Sequence, residues 1–556
     1  MREIDRLTTE SYAIPSLLLM ENAALSAAQV IAARFTEGLT GKNALILCGT
    51  GNNGGDGAAL ARHLCLLGAT IDVVIIGALA KSKGDAALNF AAVARLAEAA
   101  EHDTGPLFSH CEGALRLIEC ATIADWELFA FHELPGSTVD IVVDALFGTG
   151  LTRPLEGLPA EVARYLQAAR AFREQISSPA PLFVSLDIPS GFDADRAALI
   201  GEAVKADVTV TFTAPKPANV LPPAAEYNGE LVIANIGSPL RLLRETASQL
   251  FVTEREDAQE WLKLTRLATD SYKHQRGHTL IVAGSRRYTG AAALCAQAAA
   301  RCGAGLVTVA TPFSAQTNVV AHIGPEVMTR GLAETKEGSV TLKALLQVDE
   351  LAEKAHVIAL GPGLTAREDG TRHFVRALVK NRRLPLVIDA DGLNALAPWT
   401  PDIKGTAKLP LILTPHSGEF KRMLGTDDNA VFARRVEAVR SFAQQFGVIL
   451  VLKGSRTLIG GPDGRIFINP TGNPGLGTAG AGDTLTGIIA GCNAQAAATL
   501  GTDYDPFITT VAAVYIAGWA GDLAAQTHGM RALTASDVTA HLAAAINSLD
   551  PQGERP

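Results

Sequence analysis

The sequence predicts an α/β protein made of two doubly wound domains. Short apolar runs alternate with longer Ala- and Leu-rich stretches over residues 43–213, and the alternation restarts over residues 279–525. Strands buried on both faces of a parallel sheet have such nearly continuous apolar sequences, and the longer stretches are typical of the helices that cover the sheet. The chain of 556 residues also exceeds the ~100–200 residues of a typical single domain. Because the pattern weakens after residue 236, we expect domains over 1–236 and 237–556.

Each element is predicted from its own apolar pattern. In the first domain we expect strands over 43–48, 70–76, 139–145, 182–186 and 208–213, and helices over 20–35, 58–67, 85–100 and 158–171. In the second domain we expect strands over 279–283, 306–310, 357–360, 386–389, 411–414 and 448–453, and helices over 291–301, 484–498 and 507–525. Residues 101–138 are polar and irregular, and no element is predicted there.

Composition argues against several classes of protein. The net charge of −9 disfavours nucleic-acid binding, which uses a basic surface. The seven scattered cysteines disfavour a disulfide framework or a zinc site. The apolar runs are shorter than the ~20 residues of a membrane span, and the N-terminus lacks a signal-peptide pattern. We therefore expect a cytoplasmic protein with small-molecule ligands and no nucleic-acid or membrane partner. Large Ala-rich helical faces favour a homo-oligomer.

A glycine-rich loop follows the first predicted strand, with the sequence GTGNNGGDG over residues 49–57. A loop of this kind that leads into a helix can direct backbone N–H groups at a phosphate. Its GxGxxG spacing also occurs in dinucleotide-binding loops, but those require an acidic residue at the end of the second strand, and Asp72 stands at its beginning. Asp56 would repel a phosphate unless it takes part in chemistry or binds a cation.

Two more aspartates stand at strand ends of the first domain. Asp144 ends one predicted strand, Asp187 follows the next, and Ser190 comes three residues later. Ligands of parallel sheets bind at the carboxyl ends of strands, so these residues are expected to lie near Asn53 and Asp56. Oxygen ligands of this type suit a hard cation. The residues predict a cation beside an anion-binding loop, without identifying the substrate.

The second domain carries a different glycine-rich loop, Gly480-Ala481-Gly482-Asp483, before a predicted helix. Small residues allow the backbone to approach a transferring phosphoryl group, and an aspartate there can take a proton from an attacking hydroxyl. Other polar segments follow neighbouring strands: Gly361-Pro362-Gly363, Asp389-Ala390-Asp391, His416-Ser417-Gly418-Glu419 and Lys453-Gly454-Ser455-Arg456-Thr457. These segments predict a phosphoryl-transfer site at one edge of the sheet.

The first domain resembles the YjeF N-terminal domain, the NAD(P)H-hydrate epimerase family. The resemblance is carried in order by CGTGNNGGDGAALARHL, DALFGTGLTRP, SLDIPSG and ADVTVTF. It implies a Rossmann-like fold and a K⁺ ion held by Asn53, Asp144 and Ser190. It also implies Asp187 as the proton-transfer residue, and that the hydrated nucleotide is bound by Asn52, Asn53, Gly54, Gly55, Asp56, Gly148, Thr149, Gly150, Leu151, Thr152, Arg153, Pro154 and Asp187.

The second domain resembles the ribokinase-like superfamily and, within it, the ADP-dependent NAD(P)H-hydrate dehydratases. Matching stretches include IALGPGL, LVIDADGLNAL, LTPHSGEF, VLKGSRTLI and GNPGLGTAGAGDTLTGIIAG. The resemblance implies that the adenine nucleotide is bound by Lys453, Gly454, Ser455, Arg456, Thr457 and Gly482. It implies that the hydrate is bound by Ala291, Gly363, His416 and Asp483. Asp483 would be catalytic, and Glu419 is the candidate for the water shell of Mg²⁺.

Two positions depart from the family pattern. Thr365 stands where a glycine is expected after Gly363-Leu364, and Gly480-Ala481 replaces the more usual Gly-Ser. Neither change removes a polar group that the chemistry needs, but a threonine at 365 would narrow the site.

The resemblance implies a bifunctional repair enzyme. The first domain would interconvert the R and S epimers of hydrated NADH and NADPH (NADHX and NADPHX). The second would dehydrate the S epimer at the expense of ADP, giving AMP and phosphate. Three alternatives remain open from the residues alone: a ribokinase-like kinase of a small alcohol, a module that binds a nucleotide without turnover, and a Rossmann dehydrogenase.

Overall fold

The computed structural model describes residues 1–102, 114–132, 139–175, 181–245, 248–366 and 368–551. The chain divides into two compact units, Met1–Ala247 and Ser248–Pro556, so the division falls about ten residues after the predicted one. Each unit is built on one sheet.

The first unit contains a seven-stranded sheet in the order β3-β2-β1-β4-β5-β6-β7, and all neighbouring strands are parallel. Its strands are β1 Asn43–Cys48, β2 Thr70–Ile76, β3 Leu115–Cys120, β4 Ile141–Ala145, β5 Leu182–Leu186, β6 Val208–Phe212 and β7 Glu230–Ala234. The central strands are almost fully buried, which explains their continuous apolar sequences.

Helices cover both faces of this sheet. They are α1 Arg2–Tyr12, α2 Ser16–Ala32, α3 Asn52–Leu66, α4 Gly84–His102, α5 Ile123–His132, α6 Leu158–Gln175, α7 Pro217–Val220 and α8 Leu240–Arg244. One core lies between the sheet and α2, α3 and α4, and a second core lies between the opposite face and α5 and α6. A sheet covered on both faces is open for a ligand only at its edges and strand ends.

The second unit contains a ten-stranded sheet in the order β11-β10-β9-β12-β13-β14-β15-β16-β17-β8. The strands are β8 Leu250–Val252, β9 His278–Val282, β10 Leu306–Pro312, β11 Met328–Leu332, β12 Val357–Leu360, β13 Leu386–Ile388, β14 Leu411–Leu413, β15 Ile449–Leu452, β16 Leu458–Gly460 and β17 Ile466–Ile468. Pairing is parallel from β11 to β15, while β16 is antiparallel to both of its neighbours.

The helices of the second unit are α9 Arg255–Leu264, α10 Thr289–Arg301, α11 Phe313–Val320, α12 Leu345–Ala352, α13 Asp369–Asn381, α14 Asp391–Leu396, α15 Ser417–Leu424, α16 Arg435–Phe446, α17 Ala481–Leu500, α18 Pro506–His528 and α19 Ala535–Leu549. Within the described residues, only α18 is long and apolar enough to cross a membrane, and 78% of its most apolar window is buried inside the protein. Core helices share this composition, and α18 packs in the main core of the unit.

The predicted elements are present, and the structure also contains elements that the sequence did not predict, among them β7, β8, β11, α9 and the helices from α11 to α16. The polar stretch 101–138 contains β3 and α5, while 103–113 and 133–138 lie outside the described residues. Helix α19 follows α18, and β16 and β17 form an antiparallel hairpin after β15. These elements are short or interrupted by polar residues, so their apolar pattern is weak in the sequence. The glycine-rich loop ends earlier than expected, because α17 begins at Ala481.

Helices α10 and α17 pack against each other with almost no space between their backbones. A Cβ on Gly487 would lie 2.1 Å from the backbone oxygen of Cys295, and a Cβ on Gly491 would lie 2.4 Å from Cys302 Sγ. Glycine at these positions is therefore required by the close approach of the two helices. Since α17 carries Asp483, this contact sets the position of the second glycine-rich loop.

Gly487→Ala is expected to destabilise the second unit by about 1–3 kcal/mol, because the added methyl group meets backbone rather than a flexible side chain. The matched control is Gly290→Ala in α10, where a Cβ meets no atom within 4 Å. Thermal unfolding followed by tryptophan fluorescence measures the effect, since three of the four tryptophans (Trp261, Trp399 and Trp519) lie in this unit. Equal midpoints for the two variants would contradict the packing argument.

Candidate active sites

The predicted residues of the first unit meet at the carboxyl ends of its central strands. The strand order reverses direction between β1 and β4, which opens a crevice in a doubly wound sheet. A cavity of about 540 Å³ lies at this point. Seven predicted residues line the cavity: Asn52, Asn53, Asp56, Gly148, Thr149, Gly150 and Asp187.

Other predicted residues lie outside the cavity wall. A Cβ on Gly54 would lie 1.7 Å from the backbone oxygen of Gly49, and one on Gly55 would lie 2.8 Å from Ala86 Cα, so these glycines permit close backbone packing. Leu151, Thr152, Arg153 and Pro154 follow the wall in sequence and are not part of the described lining.

Asp144 and Ser190 form a buried hydrogen-bond network. Ser190 donates to Asp144 from its backbone N–H at 2.8 Å and from Oγ at 2.6 Å, and Ser185 Oγ donates at 3.0 Å. Burial is the largest influence on the Asp144 carboxyl and raises its pKa, while these hydrogen bonds act in the opposite direction. A cation near this buried carboxylate would offset the cost of its burial.

Asn53 and Asp187 approach Gly148 from two different elements. Asn53 Oδ1 lies 3.2 Å, and Asp187 Oδ2 lies 3.0 Å, from the position that a Cβ on Gly148 would occupy. Asn53 is 9% exposed, and its Nδ2 has no hydrogen-bond partner among the described residues. Glycine at 148 therefore keeps space free between a carboxylate and an amide that has capacity for a further contact.

Lys216, which the sequence analysis did not identify, holds Asp187 in place. Its Nζ donates to Asp187 Oδ1, to Thr211 Oγ1 at 3.0 Å and to the backbone oxygen of Phe212 at 2.9 Å. Asp187 has a φ of 67°, a left-handed conformation that is strained for a residue other than glycine and that often marks a functional position. The only sequence signal for Lys216 was a lysine shortly after the apolar strand β6.

Two further carboxyl groups line the cavity of the first unit. Burial raises the pKa of Asp56 well above its usual range, and the nearby Asp187 raises it further. Burial also raises the pKa of Asp5, which belongs to α1 and lies outside every recognised motif. With Asp85 of α4, which also lines it, the cavity combines the buried ammonium group of Lys216 with four carboxyl groups.

An ion pair between Lys453 and Asp389 organises the second site. Lys453 Nζ donates to Asp389 Oδ1 at 2.7 Å, and Asp389 Oδ2 accepts from Thr486 Oγ1 at 2.7 Å. Lys453 follows β15, Asp389 follows β13 and Thr486 belongs to α17, so the network ties two strand ends to the helix. A Cβ on Gly482 would lie 3.2 Å from Lys453 Nζ, which places the ammonium at the N-terminus of α17.

Asp483 stands in the first turn of α17 next to this ion pair. Burial raises the pKa of Asp483 to about 6, and Asp389 raises it while Lys453 lowers it. A carboxyl group with this pKa exists largely as carboxylate at neutral pH and accepts a proton more readily than an ordinary aspartate. This is the protonation behaviour of a general base.

His416 and Glu419 cap the N-terminus of α15. His416 Nδ1 accepts from the backbone N–H of Gly418 at 3.0 Å, and Glu419 accepts from the backbone N–H of His416 at 2.9 Å. The imidazole is 54% exposed, while the Glu419 carboxyl is 6% exposed and lies 3.9 Å from Lys453 Nζ. His416 therefore has both a structural role and an exposed face, and Glu419 belongs to the charge network of Lys453.

Gly363 and Ala291, which were both predicted to bind the hydrate, lie close to each other. A Cβ on Gly363 would lie 3.0 Å from Ala291 Cβ and 2.8 Å from the backbone oxygen of Tyr288. Helix α10 also approaches the glycine-rich loop, since a Cβ on Gly480 would lie 2.4 Å from Leu294 Cδ1.

The departure at Thr365 has a structural explanation. Thr365 has a φ of 64°, a conformation that favours glycine and is unusual for a β-branched residue. Asp391 Oδ2 accepts from its backbone N–H at 2.8 Å, and its Oγ1 lies 2.9 Å from Ser285 Oγ. These two hydrogen bonds offset the strain and turn the hydroxyl toward Ser285.

Segments 453–457 and 472–478 supply further polar groups. Arg456 donates to the backbone oxygen of Pro470, and Thr457 Oγ1 donates to that of Gly454 at 3.2 Å. Asp522 of α18 accepts from Asn473 Nδ2 at 2.9 Å and from the backbone N–H of Gly472 at 2.9 Å. The loop before α17 is thus fixed by α18, which sequence spacing did not indicate.

Comparisons with known proteins match both units. Residues 16–218 match the family described as YjeF-related protein N-terminus, and residues 279–543 match the family described as NAD(P)H-hydrate dehydratase. A bifunctional NAD(P)H-hydrate repair enzyme from Moorella thermoacetica is 38% identical over 100% of this chain and 97% of its own length. A protein of the same name from Thermofilum pendens is 36% identical over 98% of this chain and 95% of its own.

Among solved structures, the chain is similar to an ADP/ATP-dependent NAD(P)H-hydrate dehydratase from Bacillus subtilis, co-crystallised with ATP and Mg²⁺. The identity is 30%, the match covers 54% of this chain and 99% of that one, and the TM-score is 0.45. The two matched family regions and the near full-length relatives agree with each other. The chain belongs to the family of bifunctional NAD(P)H-hydrate repair enzymes.

Proposed function

We propose that the first unit interconverts the R and S epimers of hydrated NADH and NADPH, and that the second unit dehydrates the S epimer at the expense of ADP. The observation that carries the proposal for the second unit is Asp483, a half-buried carboxyl group whose pKa is raised to about 6, in the first turn of α17 beside Lys453. Family membership supports the same pair of activities.

In the first unit, Asp187 is the proton-transfer residue. Lys216 holds its carboxyl group in one direction, and the backbone strain at this residue adds to that constraint. Its Oδ2 faces the space kept open by Gly148, where a substrate can approach. A base needs this combination of fixed direction and open approach to remove a proton from a bound substrate.

The residues proposed to hold K⁺ fit that ion in their chemistry. Asn53, Asp144 and Ser190 offer amide, carboxylate and hydroxyl oxygens, which are hard ligands. Burial raises the pKa of Asp144, so a nearby cation would lower the cost of its carboxylate form. Asn53 Nδ2 has no hydrogen-bond partner among the described residues. A bound cation would stabilise the Asp144 carboxylate and orient Asn53 toward the substrate.

In the second unit, Asp483 removes the proton from the ring hydroxyl of the hydrate as that oxygen takes a phosphoryl group from ADP. Hydroxide is a poor leaving group and phosphate a good one, so phosphorylation allows the ring to lose the oxygen and regain its double bond. Lys453 and the backbone N–H groups at the N-terminus of α17 would stabilise the phosphates. Glu419 is the candidate residue for the water shell of Mg²⁺, which neutralises phosphate charge in reactions of this class.

Two broader expectations stay predictions. A cytoplasmic location is supported by the free thiols of Cys48, Cys120, Cys295, Cys302 and Cys492, which are buried and unpaired. A homo-oligomer is supported by the apolar helical composition alone, and its subunit number is open to direct measurement in solution.

Asp187→Asn is expected to lower the rate of epimer interconversion by roughly 10²–10⁴-fold, the usual contribution of a positioned acid or base. The assay supplies one purified epimer without nucleotide, so that the second unit cannot consume it, and follows the other epimer by chromatography. Asp193→Asn, an exchange in the turn after β5 outside the described cavity, serves as the control. Interconversion by Asp187→Asn at the wild-type rate would contradict the assignment.

Asp483→Asn is expected to abolish dehydration of the S epimer while leaving epimer interconversion intact. In the wild type, the dehydration rate is expected to fall as the pH drops below about 6, because the carboxylate with its pKa of about 6 becomes protonated and can no longer accept a proton. The return of dihydronicotinamide absorbance measures the rate. A rate that is flat between pH 5 and 8 would contradict Asp483 as the base, because a base with a pKa of about 6 becomes protonated and loses activity within this range.

A further inference from the structure

Helix α1 supplies a carboxyl group to the cavity of the first unit that none of the sequence motifs contains. Asp5 lines the cavity together with Asp56, Asp187 and Lys216. Arg2 of the same helix donates a hydrogen bond to the backbone oxygen of Thr149, which lines the same cavity. The first turns of α1 are therefore tied directly to the segment that is proposed to bind the substrate.

The Asp5 carboxyl lacks the partners that a buried acid normally has. Its Oδ1 is buried and has no hydrogen-bond partner among the described residues. Lys216 donates one hydrogen bond to the Asp187 carboxylate, and its other two N–H groups donate to Thr211 Oγ1 and to the backbone oxygen of Phe212. A carboxyl oxygen that is buried without a hydrogen-bond donor favours the neutral form of the group, which carries a proton that it can donate.

We propose that Asp5 is a further catalytic residue of the first unit, the proton donor to the ring nitrogen of the hydrate. This inference rests on the epimerase function proposed above and deepens it. Asp187 and Asp5 then form an acid–base pair in one cavity, with Lys216 hydrogen-bonded to the base and Asp5 Oδ1 without a hydrogen-bond partner among the described residues. Burial is the largest influence on the pKa of Asp5 and raises it, Lys216 and the N-terminal amino group lower it, and Asp187 raises it.

The hydrate carries its hydroxyl on the carbon next to the ring nitrogen, so the two can separate as an aldehyde and an amine. Asp187 takes the hydroxyl proton, the carbon–oxygen double bond forms, and the carbon–nitrogen bond breaks. The electron pair of that bond stays on the nitrogen, which takes the proton of Asp5. Rotation about the adjacent carbon–carbon bond presents the other face of the aldehyde. The nitrogen then adds to that face while its proton returns to Asp5 and the proton on Asp187 returns to the oxygen, so atoms and charge balance.

Several titratable groups line the cavity, and each of them can contribute to the pH dependence of the epimerisation rate. Apart from Asp5 they are the Met1 amino group and Arg2 of the same chain segment, Asp85 of α4, Asp56 of α3, Asp187 and Lys216. Asp5 is active when protonated, so its contribution to the rate is lost as the pH rises through its pKa. An alkaline limb that persists in an Asp5 variant arises from another group of the cavity, such as Asp56, whose pKa is also raised by burial.

The test compares Asp5→Asn, Asp5→Glu and Glu3→Gln in the full chain. Glu3 lies in the same helix, exposed and paired with Arg6 outside the cavity, so it is the matched control. Initial rates of epimer interconversion are measured without nucleotide over a range of pH, and thermal midpoints are measured in parallel. We expect Asp5→Asn to lower kcat by at least about ten-fold, with KM changed by less than about three-fold. The variant is also expected to show a smaller loss of rate at alkaline pH and to keep the thermal unfolding midpoint of the wild type. Asp5→Glu is expected to recover part of the rate, and Glu3→Gln all of it.

Three outcomes overturn the proposal. A wild-type chain that does not interconvert the epimers overturns the epimerase function and the role of Asp5 with it. A wild-type chain that is active, with Asp5→Asn within about two-fold of it, overturns the role of Asp5 alone. Equal losses in Asp5→Asn and Asp5→Glu that follow a lowered thermal midpoint assign Asp5 a structural role instead.

Discussion

In each unit, one lysine at the carboxyl end of a parallel sheet, buried in the first unit and half-buried in the second, determines the charge of the site. Lys216 pairs with Asp187 in the first unit, and Lys453 pairs with Asp389 in the second. Each lysine binds one carboxylate closely and leaves other carboxyl groups of the same site without a comparable partner. Because a buried carboxylate costs free energy unless a cation compensates it, those other groups have raised pKa values. The positions of two ammonium groups therefore set which acids are available for chemistry.

The two sites use this arrangement differently. In the first unit the lysine binds the carboxyl group that is proposed to transfer a proton, so Asp187 is directed by its partner. In the second unit the lysine binds Asp389, and the proposed base Asp483 stands next to the pair with a pKa of about 6. Lys453 lies at the N-terminus of α17, where a phosphate would bind, so one ammonium group would interact with both the carboxylates and the proposed nucleotide. This difference fits an isomerisation in one unit and a phosphoryl transfer in the other.

The sequence predicts the sheets and most of the candidate residues, because parallel strands place their polar carboxyl-terminal neighbours on one edge. Asp144 lies at the end of β4, Asp187 and Gly363 follow strands, and Asp483 lies in the first turn of α17. These positions predicted polar sites at the sheet edge, and the roles of the residues came from the family resemblance. Asp5 and Asp522 could not be found in this way, because each reaches its site from a helix that has no motif. Lys216 does follow strand β6, but a single lysine after a strand was too weak a signal to be selected. The backbone strain at Thr365 could not be predicted either, because the sequence does not give the φ angle of a residue. Residues 103–113 and 133–138 lie outside the described structure.

In the proposed function, each unit carries out one reaction through its own carboxyl group. The most direct measurement mixes Asp187→Asn and Asp483→Asn chains with both epimers, ADP, Mg²⁺ and K⁺, and follows dihydronicotinamide absorbance against a protein-free control. The account predicts that Asp187→Asn alone stalls after the S epimer, that Asp483→Asn alone gives no recovery, and that the mixture recovers both epimers completely. Rapid recovery of both epimers by either variant alone would contradict it, as would a mixture that stalls at the S fraction.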